Sequence, residues 1–110
     1  MALKFRFKHK SITMTPFALL ARVEAKPGKE QAVEDFLRSA LAIAQQEPGT
    51  ASWYALKLSP STFGIFDTFN TEEGRKAHLA GEIAKNLMAS AAELLSKDPV
   101  IEQVEILAQK

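Results

Sequence analysis

Four short stretches of this chain, residues 17–25, 50–59, 61–70 and 100–109, set off by proline, glycine and polar turn residues, are predicted to be strands. In the first, Phe17, Leu19, Ala21 and Val23 fall on one face, and Ala18, Leu20, Arg22 and Glu24 on the other. Pro16 opens it and Pro27-Gly28 closes it. Residues 29–46 change period: Val33, Phe36, Leu37, Ala40, Leu41 and Ala44 recur at three- and four-residue steps, the single stripe of an amphipathic helix ended by Pro48-Gly49. Ser59-Pro60-Ser61 is a tight connection, so the second and third strands form an antiparallel hairpin. A short helix follows over 72–80, capped by Asn70 or Thr71, with Glu73 placed as the acid of an Asn70 capping box. Another runs over 82–96 with Ile83, Leu87, Ala91, Leu94 and Leu95 inside, and Lys97-Asp98-Pro99 breaks it before the last strand. The order β-α-β-β-α-β predicts an α+β, ferredoxin-like domain with an antiparallel sheet.

The third strand is apolar on both faces. Phe63, Ile65 and Phe69 point one way with Asp67 among them, and Gly64, Phe66 and Thr68 point the other way. The helices can cover only one face of the sheet. A second copy of the chain is therefore expected on the other, giving a homodimer with an enclosed, mostly apolar pocket. Asp67, an acid on an apolar surface, needs a partner.

Composition narrows the chemistry. A chain of 110 residues makes one domain, read as an arm over 1–14 and the domain proper over 15–110. Without cysteine there is no disulfide, thiolate metal site or thiol nucleophile, and with His9 and His78 as the two histidines no metal site is expected. The net charge of +1 is uneven: Lys4, Arg6, Lys8 and Lys10 fall in the first ten residues, leaving 10 Lys/Arg against 13 Asp/Glu, or −3. A mildly acidic body predicts no nucleic-acid partner. No apolar run is long enough for a membrane span and no secretory signal is evident, so a cytoplasmic protein is expected.

Two families share this element order. The RNA-recognition motif carries a stacking signature on its third strand, and Phe63-Gly64-Ile65-Phe66 resembles its middle. However, Ser61 and Thr62 replace its basic residue and first glycine, and Ile65 and Thr68 replace aromatics. The second resemblance is broader. Pro27-Gly28-Lys29-Glu30, Gln46-Glu47-Pro48-Gly49-Thr50, Phe66-Asp67-Thr68-Phe69 and Arg75-Lys76-Ala77-His78-Leu79-Ala80 together resemble the antibiotic biosynthesis monooxygenase family, which includes small quinol monooxygenases.

That resemblance implies a dimeric α+β barrel and a monooxygenase needing no metal or flavin. The substrate, a small aromatic or quinol, donates electrons to oxygen, while the protein excludes water, holds the ring and takes a proton. It makes His78 a candidate base for a phenolic proton, and Asp67 the group that orients either a substrate hydroxyl or His78. Phe63, Ile65 and Phe69 would wall the pocket. Trp53 and Tyr54, adjacent on one strand, would contribute one ring to the pocket and the other to the dimer interface. Phe69 and Ala21 stand where haem-degrading members carry tryptophan and asparagine, so haem degradation is not expected. A dimeric ligand-binding protein and an isomerase or cyclase are the alternative readings, since one fold hosts many functions.

Overall fold

The computed structural model describes residues 15–110, so the predicted arm over 1–14 lies outside the described residues. The order is β1 (Phe17–Glu24), α1 (Glu30–Ala44), β2 (Thr50–Lys57), β3 (Thr62–Phe69), α2 (Glu72–Leu79), α3 (Glu82–Leu94) and β4 (Val100–Glu105). The strands form one antiparallel sheet in the order β2-β3-β1-β4, the ferredoxin-like arrangement. Gly28, with φ of 86°, makes the left-handed turn into α1, a conformation that disfavours residues bearing a Cβ.

The helices pack on one face of the sheet. Val33 and Leu37 of α1 and Leu87 of α3 close over Ala21, Val23, Phe63 and Ile65, and Ala40, Ala44 and Ile83 continue the core beneath Trp53. Strand parity puts Phe63, Ile65, Asp67 and Phe69 under the helices and Gly64, Phe66 and Thr68 on the other face. There Leu20, Phe66 and Tyr54 lie side by side in the β1-β3-β2 register, and Tyr54 is 55% exposed. No described helix is long and apolar enough to cross a membrane.

Two local features shape the site. The α2 cap is Thr71, whose Oγ1 accepts from the Gly74 N–H at 3.0 Å. This differs from the capping box expected on Asn70: with Thr71 as cap, the position that should return a carboxylate is Gly74, and Glu73 falls one residue early. The second feature is a bulge at the start of β2. Thr50 pairs with Phe69 and Ser52 with Thr68, leaving Ala51 as the extra residue.

Candidate functional site

His78 is the buried polar residue of α2, and several contacts fix it there. Three residues earlier on the same helical face, Arg75 donates from Nη1 to the carbonyls of Ala18 and Val104, each at 3.3 Å. Its guanidinium also lies over the Phe17 ring, 5.3 Å from the centroid, so α2 is pinned to β1 and β4. The His78 ring packs against Phe69, with centroids 5.4 Å apart.

Each imidazole nitrogen faces a carboxylate. Nδ1 is 2.7 Å from Glu47 Oε1, and a carboxylate offers only acceptors, so Nδ1 carries the hydrogen. Nε2 is 2.9 Å from Asp67 Oδ2, but the oxygen lies off the N–H direction. Neither Asp67 oxygen therefore has a hydrogen-bond partner among the described residues, although Asp67 is only 1% exposed. Burial opposes the charge on His78, but the two carboxylates, Asp67 at 2.9 Å and Glu47 hydrogen-bonded at 2.7 Å, outweigh it. The His78 pKa stands above its ordinary value.

Glu47 was not a candidate in the sequence. It sits in the turn between α1 and β2, 31 residues from His78, and its Oε1 also accepts from Thr50 Oγ1 at 2.7 Å. Close approach of two glycines brings this turn against α2: a Cβ at Gly74 would stand 2.8 Å from the Gly49 carbonyl oxygen.

Asp67 and His78 line a cavity between sheet and helices. Leu19, Ala21 and Ile65 form its floor, Leu79, Ile83 and Leu87 its roof, and Ile101 on the edge strand is 42% exposed. Its volume is 40 Å³, room for about three waters. His78 also borders a groove of 310 Å³ on the outer side, lined by Glu47, Glu82 and the Pro48-Gly49 turn. One imidazole thus separates an apolar interior from an outer groove.

The structure places Ile65, Asp67 and His78 at this cavity. Phe63 and Phe69 are fully buried in the core, and Trp53 packs between α1 and the sheet with its Nε1–H buried and without an acceptor among the described residues. Tyr54 is on the opposite face, away from Asp67 and His78. Among the described residues, no group of three or more His, Asp and Glu is arranged to hold a metal ion.

Among solved structures, the chain matches NE2512, a protein of unknown function from Nitrosomonas europaea, at 61% identity. The match covers 88% of this chain and 94% of that one, with a TM-score of 0.86. PA3566 from Pseudomonas aeruginosa matches at 24% identity over 86% and 97% of the two chains, TM-score 0.73. An antibiotic biosynthesis monooxygenase matches at 16% identity over 84% and 99%, TM-score 0.71, which is likeness of fold. No family model and no curated protein matches the chain.

Proposed function

This chain belongs to the family of the Nitrosomonas europaea protein NE2512, and we propose that it is a monooxygenase acting on a small quinol or related aromatic. The fold shared with an antibiotic biosynthesis monooxygenase supports this reading. The observation that carries it is Asp67: a buried carboxylate, without an aligned hydrogen-bond donor, facing an apolar cavity beside a histidine. Such a group is costly to bury unless something donates to it. A phenolic hydroxyl does so.

The chemistry divides among the residues. Asp67 accepts the phenolic proton, and the His78 charge offsets the negative charge that develops on the substrate oxygen. In this reading Asp67 rather than His78 takes the proton, because both ring nitrogens are directed at carboxylates. The apolar walls exclude water from the activated ring. For a benzene-type quinol, one oxygen atom of O₂ bonds to a ring carbon and the other leaves as water. The substrate, oxidised to a hydroxyquinone, supplies all four electrons. A cavity that takes a single benzene ring measures about 150 Å³, so entry moves Ile101 and the α3 side chains outward.

The domain over 15–110 works as a homodimer in this reading, with the Leu20-Phe66-Tyr54 row packed against a second copy. The test of function is oxygen uptake against a panel of reduced quinols and polyphenols, corrected for autoxidation, with Asp67→Asn measured alongside. Saturable uptake that falls in the variant supports the oxygenase. Uptake at the level of the blank across the panel removes it.

A further inference from the structure

The cavity side of the site accounts for Asp67 and His78, but it leaves Glu47 without a role. Glu47 stands outside the cavity, yet it is the most firmly held of the three. Its Oε1 takes two donors at 2.7 Å, His78 Nδ1–H and Thr50 Oγ1–H. The bulge at Ala51 turns Thr50 toward it, and the Gly49–Gly74 approach brings its turn onto α2. A merely solvated surface acid needs none of these supports.

We infer that Glu47 is the positioning residue of this site: it holds the His78 ring as a cation with Nε2 toward Asp67, so that the free Asp67 oxygen is offered to a neutral ligand bearing a hydroxyl or amine. This rests on the reading above that the ligand sits in the cavity between sheet and helices. Two carboxylates flank one imidazolium, so the row sums to one negative charge. An anionic ligand would meet that charge, with the Nδ1–H already held by Glu47 and Nε2 only 2.9 Å from the Asp67 carboxylate. A hydroxyl or amine donor completes Asp67 instead. The charged groups around His78 are Asp67 from β3, Glu47 from the α1–β2 turn and, lining the groove, Glu82 from α3. Arg75, on the same helix, is turned to the carbonyls of β1 and β4.

The test compares wild type with Glu47→Gln, which keeps an oxygen acceptor but removes the charge. Thr50→Val, a near-isosteric loss of the second anchor, is the milder companion. Ring ¹⁵N resonances of His78 are followed across pH, and binding of phenol and of its isostere toluene is measured. In the wild type the His78 midpoint stands above its ordinary value. In Glu47→Gln the His78 midpoint falls, and the ring loses both its charge and its fixed orientation beside Asp67. Phenol affinity then drops by about tenfold while toluene affinity holds, the scale of one weakened charge-assisted hydrogen bond. Thr50→Val moves both readouts the same way by less.

Identical His78 titration in wild type and Glu47→Gln overturns the inference. So does an unchanged preference for phenol over toluene, or binding of neither. Absent oxygen uptake beside a shifted titration and a lost phenol preference would remove the oxygenase and leave the role of Glu47 standing.

Discussion

Replacing Gly74 with alanine distinguishes the close glycine contact from ordinary helix energetics, because the two predict opposite signs. Gly74 lies in the first turn of α2, and at such a helical position alanine is ordinarily better than glycine by about 0.5–1 kcal/mol. Here the new Cβ would stand 2.8 Å from the Gly49 carbonyl oxygen and 3.3 Å from Thr71 Oγ1. A carbon and a carbonyl oxygen rest at about 3.3–3.6 Å, so the turn must retreat by roughly half an ångström or more. Overpacking of this kind costs about 1–3 kcal/mol. Glu47 is two residues from Gly49, and its retreat also stretches the 2.7 Å bond to His78, a charged hydrogen bond of the class that contributes about 1.5–3 kcal/mol. Even partial loss outweighs the helix gain. The expected net effect is destabilisation by about 1–2 kcal/mol, a fall in Tm of several degrees for a domain of this size. Thermal and urea unfolding measure it, and His78 ring resonances should move with it. A Gly74→Ala protein that melts higher than wild type would refute the close-contact reasoning.

The pH dependence of stability has a definite sign. His78 has a folded pKa above its ordinary value of 6.5, so its stabilisation is fully present below that value and is lost as pH rises through the folded pKa. Urea midpoints should fall across that alkaline span in the wild type and stay flatter in His78→Gln; a flat wild-type profile contradicts the Glu47–His78–Asp67 ion pairing. Glu24, whose pKa is lowered first by the Ser61 hydrogen bond, loses its contribution at the acid end, in a separate window. Tyr54→Glu, on the open sheet face, should convert the proposed dimer to monomer in sedimentation equilibrium, and a wild type with one chain's mass at all concentrations would sink the dimer. Phe69→Ala should cost about 3–5 kcal/mol in urea unfolding, because Phe69 is fully buried and backs the His78 ring.

The fold was legible because each element repeats its signal locally. The Val33–Leu37–Ala40–Ala44 stripe, the Ser59-Pro60-Ser61 turn and the Pro99 stop each mark a boundary without reference to distant residues, and the observed elements end within a few residues of those read from the pattern. The two-faced third strand also announced a sheet with one side left open. Glu47 was not legible. It lies in a polar turn, 31 residues before its partner, and only the tertiary contact of Gly49 with Gly74 brings them together. The cap at Thr71 was a matter of one residue, decided by where the Gly74 N–H points. Trp53 and Tyr54 could be assigned to opposite faces from parity, but the phase of β2 relative to the helices depends on a bulge that alternation does not reveal.

That bulge also governs how the chain tolerates changes in length. Thr50 and Ser52 are two apart and on a regular strand would share a side. With Ala51 between them as the surplus residue, Thr50 reaches Glu47 beneath the helices, while Ser52 shares a 2.6 Å hydrogen bond with Thr68 on the open face. One residue thus acts as a phase shift between two hydroxyls. Deleting it would leave Thr50 opposite Phe69 and Ser52 opposite Thr68, and the loss would fall on the local kink that aims Thr50 at Glu47. Insertions in the surface turn at Pro27-Gly28 can be absorbed by a loop. The segment from Glu47 to Ser52 depends instead on that kink, and relatives that keep the Glu47–His78 pair through Thr50 should keep the bulge even where its sequence drifts.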